Sequence, residues 1–159
     1  MLIKSFENYI NSRNTVNKLM LEFGAGYSTK VFANNFSSVI SYDNNKEYQD
    51  KLKRYDNVAY KTLNKDLKPI IKDIKLADYI FVDNDPDCIS RYELVKLSFT
   101  HSNSQCVLIL DNGLWNIDGQ KFLQDNYFCK DYYGLRDDQL YTNTIVGEMK
   151  IPEDYRKWK

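Results

Sequence analysis

Apolar residues along the chain fall into short, nearly unbroken runs separated by segments of helical period. Leu19-Met20-Leu21-Glu22-Phe23, Val39-Ile40-Ser41-Tyr42, residues 58–63, Tyr79-Ile80-Phe81-Val82 and Cys106-Val107-Leu108-Ile109-Leu110 each read as a strand. Phe6, Tyr9 and Ile10 predict an amphipathic helix that ends before Lys18. Further helices are predicted from Ser28 to about Phe36, from a cap at Asn44 or Asn45 through Leu52, and over 67–74. Another runs from about Cys88 to Phe99, with Tyr92, Val95 and Phe99 on one face. Five strand–helix alternations with continuous apolar strands predict a parallel sheet covered on both faces. The order then changes. A helical piece near 120–125 precedes two strands, 128–133 and 140–146, around a polar turn at 134–139, which predicts an antiparallel hairpin at the sheet edge. The expectation is one α/β domain over residues 1–159, ending in a charged, frayed tail after Pro152 from which Trp158 can dock.

Charge narrows the partners. The 22 basic and 22 acidic side chains cancel, so no global field draws the chain to nucleic acid or an anionic membrane. The lysines between Lys46 and Lys75 alternate with acids, as on a solvated face. Cys88, Cys106 and Cys129 are widely spaced, with no Cys-x-x-Cys pair, which disfavours disulfides and zinc and suits a reducing compartment. The start, Met1-Leu2-Ile3-Lys4-Ser5-Phe6-Glu7, carries charges where a signal peptide needs an apolar run, and no stretch approaches a membrane span. A soluble, cytoplasmic protein is expected. His101, the one histidine, lies in a polar stretch and is a poor candidate for a base.

Candidate chemistry gathers at the strand ends. Glu22 lies in the first strand, and Asp43, Asp83 and Asp111 follow the second, fourth and fifth. Ligands of open parallel sheets bind beyond these carboxyl ends. Gly24 and Gly26 lack a Cβ and let the backbone approach a ligand, with the N-terminus of the next helix aimed at the same place. Alone, Gly-x-Gly is also what a plain strand-to-helix turn needs. A dinucleotide fingerprint has a third glycine where Thr29 stands, which argues against a nicotinamide-dependent oxidoreductase, and a Walker loop ending is absent.

Leu21-Glu22-Phe23-Gly24-Ala25-Gly26-Tyr27-Ser28-Thr29 resembles the first motif of class I S-adenosylmethionine-dependent methyltransferases, which have a Rossmann-like fold. Tyr79-Ile80-Phe81-Val82-Asp83-Asn84-Asp85-Pro86 with Arg91-Tyr92-Glu93, then Leu108-Ile109-Leu110-Asp111-Asn112, resemble that family's fourth- and fifth-strand motifs. Tyr132-Tyr133-Gly134 and Tyr141-Thr142-Asn143-Thr144 are similar to its final hairpin. The resemblance implies that S-adenosylmethionine is the cofactor. Glu22, Gly24, Ala25, Gly26, Tyr27, Ser28 and Thr29 would serve its methionine end, Asp43 with Asn44 the ribose, Asn64 or Asp66 the adenine, and Asp83 the region of the sulfur. Neutral charge and short length leave little platform for nucleic acid and favour a small-molecule acceptor, with Asp83 and Asp111 as candidate catalytic residues. Asp83 reads equally as an acid bracing the following helix. Arg91, Trp115, Tyr132, Tyr133 and Arg136 could contact an acceptor, but structural roles explain them more simply.

Two alternatives stay open. Asp83, Asp111 and Asn112 are similar to the oxygen ligands of metal-dependent O-methyltransferases, although Asn112-Gly113 is also a plain turn signal. Asn84 stands where the motif often has glycine, and fewer residues precede the first strand than in relatives. An open pocket completed by a second copy or a partner subunit, or a cofactor-binding module inactive alone, is therefore the competing expectation.

Overall fold

A computed structural model describes residues 2–52, 54–135 and 139–151. The five apolar runs form strands β1 (Leu19–Phe23), β2 (Ser38–Asp43), β3 (Val58–Thr62), β4 (Tyr79–Val82) and β5 (Val107–Asp111), and the hairpin is β6 (Tyr127–Leu135) with β7 (Tyr141–Lys150). They share one sheet in the order β3-β2-β1-β4-β5-β7-β6. β1 pairs in parallel with β2 and β4, whereas β7 runs antiparallel to β5 and β6. The chain thus steps outward from β1 to β3, then returns to the far side of β1 with β4. Connections leaving β1 and β4 diverge, which opens a crevice beyond their carboxyl ends.

Side chains alternate across each strand, so the sheet builds two cores. Leu21, Ile80, Val82, Leu108, Leu110 and Ile145 face α4 (Leu67–Leu76), α5 (Arg91–His101) and α6 (Ile117–Asn126). Met20, Val39, Phe81, Ile109 and Val146 face α1 (Lys4–Asn11) and α2 (Tyr27–Asn35). The remaining helix, α3 (Lys46–Lys51), is short; the Asn45 side chain caps it by accepting from Tyr48 N, as the sequence suggests. α1 lies over β6, and its lead-in brings Ile3 to 3.2 Å from where a Cβ on Gly134 would stand.

The helix expected from Cys88 starts instead at Arg91. Ser90 and Glu93 form a reciprocal capping box that satisfies the first-turn donors, and this local signal sets the start. Its buried residues are Leu94, Val95 and Ser98. Tyr92 and Phe99 turn sideways onto Phe122 of α6, with ring centroids 6.1 and 5.4 Å away. The piece expected near 120–125 is longer, running as α6 after a 3-10 turn at Gly113–Trp115. Both hairpin strands also exceed their predicted lengths. Arg136 and Trp158 lie outside the described residues. Among those described, no helix is long and apolar enough to cross a membrane.

Phe81 ties the second core together. Fully buried on β4, its ring meets Phe6 at 5.9 Å and Phe32 at 5.1 Å, joining α1, α2 and the sheet. Phe81→Ala removes these contacts and leaves a cavity, so urea denaturation should show a loss of about 3–5 kcal/mol.

Candidate functional site

Strand register puts the four acids on one face of the sheet. Glu22 stands beside Ser41 and Phe81, and Asp111 beside Thr144, on the face that carries α1 and α2. Asp43 and Asp83 follow Ser41 and Phe81 by two residues and project the same way.

The turn after β1 is held by backbone contacts to both neighbouring strands. Gly24 N donates to Tyr42 O and Asp83 N to Phe23 O, each at 2.8 Å. Gly24 has φ +99°, and a Cβ there would lie 2.5 Å from the Asp83 carbonyl oxygen. Only glycine satisfies both constraints. Gly26 also lines the cleft; its backbone is extended (φ 175°), and a Cβ would meet the Tyr48 hydroxyl at 3.6 Å.

Under this turn Glu22 is wholly buried. Its carboxylate accepts from Ser28 Oγ, from Thr29 Oγ1 at 2.6 Å and from Ser41 Oγ at 2.6 Å. Thr29 Oγ1 also accepts from Gly26 N at 2.9 Å, so the third-glycine position is occupied by a residue that ties the turn to Glu22. Burial pushes the Glu22 carboxyl up to about 7, against the three hydroxyls that favour its charge; Asp83 adds a smaller push upward.

Above the turn lies a cleft of about 420 Å³. Gly24, Ala25, Gly26, Tyr27 and Ser28 form its floor, with Asp43 and Asn44 on one side and Asp83 on the other. Asp43 is fixed through both oxygens: Oδ2 accepts from Ala25 N at 2.9 Å and Oδ1 from Asn45 N at 2.7 Å. A carboxylate oxygen accepts more than one hydrogen bond, so this group can still take the two hydroxyls of a ribose. Leu2, Asn45, Tyr48, Asp85 and Asp87 complete the lining. Asn45 had been read only as a cap, and the strand and helix pattern carries no signal for the other four. Leu2 brings the chain's own N-terminal segment to the cleft.

The remaining candidates lie apart from this lining. Asn64 accepts from Asp66 N, and Asp66 caps α4 by accepting from Lys68 N; both are exposed. His101 closes α5 in a surface groove with Lys65 and Lys96. Asp111 is buried behind the cleft and accepts from Thr144 Oγ1 at 2.5 Å. Burial and the neighbouring Asp83 charge raise its pKa, while Thr144 and Arg91 pull it back.

Asp83, Asp111 and Asn112 do come together, but around Arg91 rather than an oxygen-lined hole. The guanidinium pairs with Asp83 Oδ1 at 2.8 Å and donates to the main-chain oxygens of Asp83, Asn84 and Asp111 at 3.2, 2.8 and 3.0 Å. It clasps the ends of β4 and β5 instead of standing in solvent. Asn112 donates Nδ2 to Asp83 Oδ1, while its oxygen accepts from Thr142 Oγ1, both at 3.2 Å. A carboxylate requires a donor from Asn112, so the amide oxygen cannot also point there. As placed, the three residues are engaged with protein partners. No group of three or more His, Cys, Asp or Glu side chains suited to a metal occurs among the described residues. Asn112 also adopts the left-handed conformation (φ 54°), so its turn role is real as well.

The sheet order and hairpin define the class I methyltransferase fold, and comparison with solved structures agrees. An rRNA methylase from Streptococcus thermophilus superposes with a TM-score of 0.69 at 10% identity, covering 94% of this chain and 99% of that one. A methyltransferase from Geobacter sulfurreducens gives 0.64 at 14% identity, over 94% and 80%. SMU.1697c from Streptococcus mutans, in complex with SAH, gives 0.58 at 13% identity, over 95% and 100%. No protein-family model and no curated protein sequence matches the chain.

Two outcomes follow from the turn. Gly24→Ala should cost about 2–4 kcal/mol in urea denaturation, because positive φ and the clash with Asp83 act together. Glu22 holds its proton more tightly folded than unfolded, so the stability it contributes is full below about 4.5 and lost as pH rises to about 7. Between pH 4.5 and 7.5 the wild type should lose about 3 kcal/mol more than Glu22→Gln, read from paired urea titrations.

Proposed function

We propose that the chain is an S-adenosylmethionine-dependent methyltransferase acting on a small-molecule acceptor. The observation that carries this reading is the cleft, where a glycine turn, a doubly anchored Asp43 and Asp83 meet at the point of strand reversal. When bound, S-adenosylmethionine supplies a methyl group on a sulfonium, open to in-line displacement. Such a reaction needs alignment and exclusion of water more than covalent help.

The chain's own residues fit those needs. Asp43 accepts the ribose hydroxyls from a position that two backbone N–H groups fix in advance. The absence of a Cβ at Gly24 lets backbone stand where a side chain would otherwise intrude. Asp83, on the cleft wall and held by Arg91, is the carboxylate placed to receive a proton or balance positive charge at the acceptor. Charge balance supports a small acceptor, because 22 basic side chains against 22 acidic ones provide no field for a polyanion. Acids also outnumber bases in the cleft lining, which disfavours the pyrophosphate of a dinucleotide.

Calorimetry should show binding of S-adenosylmethionine and S-adenosylhomocysteine and none of NAD; tight binding of NAD alone would overturn the reading. Asp43→Ala should weaken S-adenosylhomocysteine binding roughly 10- to 100-fold, the range for lost hydrogen bonds to a charged group. A circular dichroism spectrum unchanged from wild type would assign that loss to the site rather than to unfolding.

A further inference from the structure

The cleft is polar, yet it has to receive a purine if S-adenosylmethionine lies in it. Apart from Leu2 and Ala25, its side chains are those of aspartate, asparagine, serine and tyrosine. Carboxylates and amides offer hydrogen bonds to the edge of a base, whereas its flat face needs an apolar or aromatic surface. Among the described lining residues only Tyr27 and Tyr48 present an aromatic ring, and they are 40% and 44% accessible. Asn64 and Asp66, which the family resemblance nominates for the base, are exposed and take no part in this lining.

Tyr48 is tied to the Asp43 side of the cleft by a short chain of hydrogen bonds. Asp43 Oδ1 accepts from Asn45 N at 2.7 Å, and Asn45 Oδ1 accepts from Tyr48 N at 2.9 Å. The first turn of α3 is therefore set in place relative to the carboxylate that would take the ribose hydroxyls. From there the tyrosine reaches towards the glycine turn, its hydroxyl 3.6 Å from where a Cβ on Gly26 would stand. A base is joined to the same sugar, so it has to lie close to Asp43, and Tyr48 is the ring anchored there. A smaller hollow at Gly26, of about 200 Å³, is also lined by tyrosines, Tyr55 and Tyr60 among them. Arg54 already lies over the Tyr60 ring, 4.4 Å from its centroid.

We propose that the adenine of S-adenosylmethionine stacks on Tyr48, with Tyr27 bounding the same space. The inference rests on the cleft being the cofactor site. Stacking draws on the face of the ring and not on its hydroxyl, and it holds a base without reading its edge.

The test is calorimetry of S-adenosylhomocysteine on the full chain, in wild type, Tyr48→Leu, Tyr48→Phe and Asn64→Ala. Tyr48→Leu keeps an apolar side chain without an aromatic face and should weaken binding about tenfold. Tyr48→Phe keeps the face, and it and Asn64→Ala should each stay within about twofold of wild type. Proton NMR adds a readout that a merely structural role would not move. Saturation of the tyrosine ring protons should pass to adenine H2 and H8, and less of it should arrive in Tyr48→Leu. Unchanged affinity in Tyr48→Leu, equal losses in Tyr48→Leu and Tyr48→Phe, a larger loss in Asn64→Ala, or no transfer to adenine overturns the proposal alone. Failure of S-adenosylhomocysteine to bind the wild type overturns the functional reading beneath it.

Discussion

The carboxylate of Glu22 sits at the middle of the sheet with no access to water, and three hydroxyls from two other elements converge on it. Burying such a group is costly unless its hydrogen bonds are made, so the arrangement constrains everything that touches it. Ser28 and Thr29 fix the first turn of α2, and Ser41 fixes β2 against β1. With α2 and β2 held, the chain between them and β1 has one path, through Gly24. That path lies against the backbone of the loop after β4, so Asp83 is placed by the same constraint. Glu22 thus shapes the cleft from beneath and does not line it.

Beyond β4 the structure relies on a different device. Arg91 reaches back from the first turn of α5 to gather main-chain oxygens from the ends of both β4 and β5, and it neutralises Asp83 at the same point. A planar guanidinium with several fixed donors suits this task better than a lysine. The cleft on one side of the Asp83–Arg91 pair is polar and rich in aspartate.

Much of this was legible in the residue pattern. All five predicted runs became parallel strands; β1, β4 and β5 are apolar because they are buried on both faces, whereas β3 stands half-buried at the sheet edge. Gly24, Asp43 and Asp83 could be singled out because strand ends and tight turns leave local marks. The start of α5 was missed by three residues, since the apolar period continues upstream of the Ser90–Glu93 box that sets it. Tyr48, Asp87 and Leu2 carried no mark, for they reach the cleft from a helix, a loop and a distant lead-in.

By itself the sequence determined which segments are strands and helices, that the sheet is largely parallel, and that acids stand at successive strand ends. These are matters of spacing along the chain, set by side-chain period and turn chemistry. Only the tertiary structure decided that the four acids share one face, that Glu22 lies under the cleft, and that Arg91 joins Asp83 to Asp111. Such relations depend on the register of strands far apart in sequence, and no local pattern encodes which hydroxyl or guanidinium will meet a buried carboxylate.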